Sequence, residues 1–88
     1  MKTTFQSSFA KDLRSINDQN LRDRVAELIQ TVEDAADLNA IPNLKKLRGA
    51  GGCYRVRLGE YRVGLTVRGG TLSFVRCLHR KEIHRYFP

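Results

Sequence analysis

The sequence predicts an α+β domain: a short N-terminal strand, a helical hairpin, then a three-stranded antiparallel meander with the helices packed on one sheet face. Three observations predict it. Two apolar stripes of helical spacing occupy the first half, with a capping sequence between them. At Cys53 the apolar period changes from 3.6 to 2. From there, glycine-bearing two-residue loops separate the alternating runs, as tight hairpins require. With 88 residues the chain is one domain, 1–88, too short for a second core.

Residues 2–7 suit a first strand, and Ser7 or Ser8 is placed to cap a following helix. Phe9, Leu13 and Ile16 form its stripe at i, i+4, i+7. Asn17-Asp18-Gln19-Asn20 reads as a break and a new N-cap. The second helix is predicted from about Gln19 to Asp37, with Leu21, Val25, Leu28, Ile29 and Val32 on its buried face. The short connection makes the pair antiparallel. Residues 38–52 read as a connector: Pro42 excludes helix there, and Gly49, Gly51 and Gly52 mark a turn before the sheet.

In the first hairpin Tyr54, Val56 and Leu58 alternate with Arg55 and Arg57, and Tyr61, Val63, Leu65 and Val67 follow the loop Gly59-Glu60. Glycine at the first loop position suits a type II′ turn. The loop sets the register: Leu58 opposite Tyr61, Arg57 opposite Arg62, Val56 opposite Val63, Arg55 opposite Gly64. The apolar residues, with Tyr54 and Tyr61 among them, then face the helices, and Arg55, Arg57 and Arg62 share the other face. Opposed like charges destabilise a sheet. Two readings fit the opposed pair: an anion bound between the guanidiniums, or a solvated basic face with the heads fanned apart. Gly64 leaves a bare patch where a ligand can approach.

Gly69-Gly70 is the second turn, and the last strand runs from Thr71 to about His79. Continuing the register puts Val67 opposite Leu72, Leu65 opposite Phe74 and Arg62 opposite Cys77. Strict alternation would bury Arg76 beside Leu72 and Phe74, at a desolvation cost. A β-bulge near Val75–Arg76 avoids this and turns Arg76 and Arg80 to the basic face. The same register separates Cys53 and Cys77 by more than the ~7 Å that a disulfide spans.

Charge is unevenly distributed. The net charge is +7, yet residues 1–42 carry five basic and seven acidic side chains and residues 43–88 carry eleven and two. An anionic partner for the second half follows, nucleic acid first. No apolar run reaches the ~18 residues of a membrane span, and Met1-Lys2-Thr3-Thr4-Phe5 has no apolar signal region. Cys53, Cys77, His79 and His84 are badly spaced for one zinc site, so no metal or other cofactor is expected. A reduced, cytoplasmic protein is the reading.

RNA cleavage needs no metal, because the 2′-hydroxyl is an internal nucleophile. It needs a base, cations for the charge on the phosphorane, and an acid for the leaving oxygen. Arginines supply the cations but not the proton transfers. The C-terminal segment His79-Arg80-Lys81-Glu82-Ile83-His84-Arg85-Tyr86 holds the groups that can: His79, His84 and Tyr86, with Glu82 or Lys81 beside them. The alternative is that the histidines are surface residues and Tyr86-Phe87 closes the core.

Leu47-Arg48-Gly49, the run Cys53–Val63, the run His79-Arg80-Lys81-Glu82-Ile83 and the helix start Phe9-Ala10-Lys11-Asp12-Leu13 together resemble the RelE/ParE superfamily of toxins, RelE-like members above all. The resemblance covers nearly the whole chain. It implies the RelE-like microbial RNase fold and the toxin of a type II toxin–antitoxin pair. RelE-like members cut mRNA in the ribosomal A site; ParE-like members inhibit DNA gyrase; a homologue that only binds its antitoxin is the third possibility. The implied partners are a cognate antitoxin, the ribosome and mRNA, with operator DNA bound only through the antitoxin complex and no membrane. Carried over by motif, the catalytic arginines are Arg55, Arg57, Arg62 and Arg80. Lys45, Lys46, Arg48, Arg76 and Lys81 are expected to hold RNA phosphates. RelE itself has lysines at the positions of Arg55 and Arg57, one of them a proposed proton acceptor. Many relatives have Tyr at His84, whereas RelE has a Tyr aligning on Tyr86, so either residue can hold that role.

Overall fold

The computed structural model describes residues 1–49 and 51–88. In chain order the elements are β1 (Lys2–Phe5), α1 (Ser7–Arg14), α2 (Gln19–Asp34), a 3-10 turn (Leu38–Ala40), β2 (Leu44–Lys46), β3 (Cys53–Leu58), β4 (Tyr61–Arg68), β5 (Thr71–His79) and α3 (Ile83–Tyr86). The sheet has five strands in the order β1-β5-β4-β3-β2, with β1 parallel to β5 and the other pairs antiparallel. The α+β class and the central meander are as expected; the meander is extended by an edge strand on each side.

Local signals account for most element ends. Asp18 caps α2 by accepting from the Leu21 N–H at 3.2 Å. The helix stops at Asp34 rather than Asp37, because the Asp37 side chain accepts from the Asn39 N–H at 2.9 Å and starts a separate turn. Neither Ser7 nor Ser8 caps α1. Gln6 stands at its N-cap without a side-chain bond, and the Ser8 hydroxyl donates to the Val75 carbonyl at 2.6 Å. Gly59 has φ +62° while Glu60 stays out of the left-handed region, which fits the type II′ reading.

The β3–β4 register is the expected one throughout, including Arg57 opposite Arg62 and Arg55 opposite Gly64. Between β4 and β5 the pairing shifts: Leu65 pairs with Phe74 and Gly64 with Arg76, leaving Val75 as the extra residue. The bulge therefore lies where alternation fails. One consequence is a correction: Arg62 pairs with Leu78, and Cys77 with Val63. A second correction is β2, which lies inside the expected connector and pairs Lys45 with Arg55.

The main core lies between the helices and one sheet face. Phe9, Leu21, Val25, Leu28 and Val32 meet Val56, Val63, Leu65, Leu72, Phe74 and Cys77 there. The opposite face is not wholly open. Cys53, Ile83 and Phe87 form a second small buried cluster on it, flanked by Leu47, Val75 and Leu78. The C-terminal segment thus covers part of the basic face. Phe87 occupies the space above Gly64 that the sequence reading left for a ligand. Cys53 and Cys77 lie in clusters on opposite faces, both as free thiols.

Candidate active site

The sheet places the basic residues in adjacent rows. Alternation on β3 puts Arg55 and Arg57 on the face away from the helices, and the hairpin brings Arg62 opposite Arg57. Lys45 joins them from β2 beside Arg55. Arg62 is held in place by its own turn: Nη1 donates to the carbonyls of Gly59 at 2.8 Å and Tyr61 at 2.9 Å. Arg80, just beyond β5, ion-pairs through Nε with Glu60 Oε2 at 2.8 Å.

Three open grooves meet at Arg55. The first, of about 350 Å³, runs between β2 and the hairpin and is lined by Asn43, Leu44, Lys45, Arg55, Arg57 and Arg62. The second, of about 420 Å³, is lined by Arg55, Arg62, Arg80, Lys81, Ile83 and His84. The third, of about 530 Å³, passes under the C-terminus and includes Lys45, Lys46, Arg48, Arg55, His84 and Phe87. His84 lines both the second and the third groove and is the one imidazole among these lining residues.

The charges of the cluster repel one another. The Arg62 guanidinium is pushed below its ordinary pKa, first by desolvation and then by repulsion from Arg55, Arg57 and Arg80, with Glu60 acting in the opposite sense. A phosphate oxyanion seated among these guanidiniums relieves that repulsion and accepts paired hydrogen bonds.

Not every expected residue joins the cluster. His79 pairs with Tyr61 and packs edge-on against its ring at 5.6 Å, on the helix side of the sheet. Its Nδ1 accepts from the Lys81 N–H at 3.1 Å. The bulge explains this: an extra residue at Val75 sends Arg76 and Leu78 to one face, and Cys77 and His79 to the other. Arg76 leaves the helix face as expected, but it is engaged elsewhere. Its Nε and Nη2 clamp the Asp12 carboxylate at 2.8 and 3.0 Å, and the same carboxylate accepts from the Cys77 N–H at 2.9 Å. Tyr86 lies under Arg76, with Cζ 5.1 Å from its ring centroid, away from the grooves at Arg55. Of the two residues left open for the family's tyrosine role, the one lining the grooves is His84.

Glu60 was missed. Its signal lay in the composition, because it and Glu82 are the only acids in residues 43–88. Asn43 was missed as well. It adopts φ +61°, tolerable for Asn, at the entry to β2, a strand too short to announce itself.

The family model of the ParE toxin of the type II toxin–antitoxin system parDE matches residues 4–84. Over the full length of both chains the sequence is 39% identical to the toxin RelE3 of Methanocaldococcus jannaschii. The chain belongs to the RelE/ParE superfamily of type II toxins. The toxin's fold is similar to the crystal structure of a RelB–RelE antitoxin–toxin complex from Methanococcus jannaschii. There the TM-score is 0.82 and the identity 38%, over 96% of this chain and 98% of that one. A YoeB dimer from Staphylococcus aureus shares the fold at TM-score 0.73 and 23% identity, covering 91% of this chain and 97% of that chain. Among the described residues of the toxin no helix is long and apolar enough to cross a membrane, and no group of three or more His, Cys, Asp or Glu is placed to hold a metal ion.

Proposed function

We propose that this toxin is a ribosome-dependent mRNA endonuclease that arrests translation. The observation that carries the reading is the convergence of Arg55, Arg57, Arg62 and Arg80 on two grooves that share Arg55 and Arg62. In the proposed reaction the 2′-hydroxyl attacks phosphorus and the bond to the 5′-oxygen breaks. The phosphorane oxygens gain charge in that step, and fixed guanidiniums stabilise gained charge more than ground-state charge. His84, lining both grooves that flank Arg55 on the C-terminal side, is the group for proton transfer. Lys45, Lys46, Arg48 and Lys81 line the same grooves and hold neighbouring phosphates of mRNA and ribosomal RNA. Arg76 is not part of this set, because Asp12 already neutralises it.

The same basic face is the surface that a cognate antitoxin has to mask, and relatives are known in complex with RelB. The test is induction of the toxin followed by mapping of mRNA 5′ ends by primer extension. Cuts within translated codons, lost with Arg62→Ala and Arg80→Ala proteins that remain folded, are expected. Intact mRNA together with loss of gyrase supercoiling defeats the RNase reading in favour of a ParE-like one, and a folded Arg62→Ala/Arg80→Ala protein that still arrests growth defeats the arginine assignment.

A further inference from the structure

The turn joining β3 to β4 anchors two arginines that arrive from different parts of the chain. The carbonyls of Gly59 and Tyr61 accept from Arg62 Nη1. The carbonyl between them, that of Glu60, accepts from the backbone N–H of Arg80 at 2.8 Å. Glu60 then adds its carboxylate to Arg80 Nε. Arg80 needs such a hold, since it follows the end of β5 and its side chain is 56% exposed. A long side chain at a strand end otherwise samples many rotamers.

A carboxylate beside an arginine cluster either competes with phosphate or orients the arginine. Here the geometry favours orientation. The carboxylate approaches the guanidinium at Nε, which leaves its Nη edge to face an anion. Glu60 itself lines none of the three grooves around Arg55, whereas Arg80 lines the second one with Arg55 and Arg62. The carboxylate therefore stands behind the guanidinium, outside the place of the phosphate.

We infer that Glu60 is the positioning residue of Arg80, holding its backbone N–H by the carbonyl and its guanidinium by the carboxylate so that the free edge faces the scissile phosphate. Glu60 touches no substrate atom. The inference rests on the RNase reading above and adds to it a residue that acts only through Arg80.

A double-mutant cycle tests it, with kcat/KM for mRNA cleavage measured on translating ribosomes and folding checked by thermal melting. Arg80→Ala is expected to lower kcat/KM by about 100-fold, as loss of a transition-state cation does. Glu60→Ala is expected to lower it about fivefold, the upper range for an exposed ion pair. Glu60→Gln, which keeps an oxygen for Nε, is expected to stay within about twofold of wild type. The double variant is expected to be no worse than Arg80→Ala, because nothing remains to be positioned. A Glu60→Ala protein as active as wild type overturns the inference. So does one more active than wild type, in which the carboxylate competes with RNA, or a Glu60→Ala defect that adds in full to that of Arg80→Ala. A wild type that cleaves no mRNA removes the RNase reading and this role with it. A cleaving wild type that is insensitive to position 60 removes this role alone.

Discussion

The ring of Phe87 lies directly on Gly64. A β-carbon at position 64 would stand 2.7 Å from both Cγ and Cδ2 of that ring. Gly64 is opposite Arg55 on β3 and Arg76 on β5, so the contact seats the C-terminal segment in the middle of the arginine face. Residue 87 also donates its N–H to the Ile83 carbonyl at 2.9 Å, which ties the seat of Phe87 to α3 and hence to His84.

Gly64→Ala is therefore expected to lift Phe87. The overpacking costs about 1–3 kcal/mol, read as a lower urea midpoint. Displacement of His84 is expected to lower RNA cleavage beyond what lost stability explains. A variant with unchanged midpoint and activity contradicts the seating role.

Asp12 joins α1 to β5 by three hydrogen bonds, two from Arg76 and one from the Cys77 N–H. Its side chain is 9% exposed. Asp12→Ala leaves a half-buried guanidinium and a strand N–H without partners, an expected loss of about 2–4 kcal/mol. Chemical denaturation measures it. Asp12→Ala/Arg76→Met is expected to recover part of the loss, because the stranded charge is gone.

His84 and Tyr86 are expected to separate by the kind of damage their removal does. His84 lines two grooves at Arg55. His84→Gln is expected to lower kcat by about 100-fold with an unchanged melting temperature. Tyr86 lies beneath Arg76 and is 54% exposed. Tyr86→Ala is expected to cost about 0.5–1 kcal/mol through the lost cation–π contact and to keep most of the activity. The reverse pattern assigns the proton-transfer role to Tyr86.

Cys77 makes stability depend on alkaline pH. Burial, reinforced by the Asp12 charge, pushes its thiol from 9.0 up to about 12. Between those values the unfolded chain releases this proton and the folded chain keeps it. The contribution of Cys77 is therefore fully present below pH 9 and lost as pH rises toward 12. Cys77→Ala is expected to flatten this part of the stability profile relative to wild type in denaturant melts. The native thiol is expected to resist alkylation at pH 8, where it stays protonated.

The elements legible in the sequence are those set by neighbours along the chain. A two-residue loop leaves one register for its hairpin, so Arg57 opposite Arg62 follows from Gly59-Glu60. Asp18 announces the start of α2 because a cap bonds within one turn. Even the Val75 bulge was legible, since unbroken alternation would have buried Arg76. The same bulge also sets the face of His79, two residues past Cys77, though only when its parity is carried to the end of the strand.

Tertiary structure decided what chain-distant partners decide. β2 is three residues with no β-branched side chain, and it is a strand because the free edge of β3 offers it hydrogen bonds. Arg76 is neutralised by Asp12, 64 positions away. The C-terminal segment lies on the arginine face because Cys53, Leu47, Val75 and Leu78 present an apolar patch there and Gly64 leaves room for Phe87. The sequence by itself determined that the chain carries a row of arginines on one sheet face. The folded chain decided which of them remain free for an anion, and that His84 rather than His79 stands beside them. Local backbone geometry sets a side chain's face; burial and charge pairing between distant segments set what it meets there.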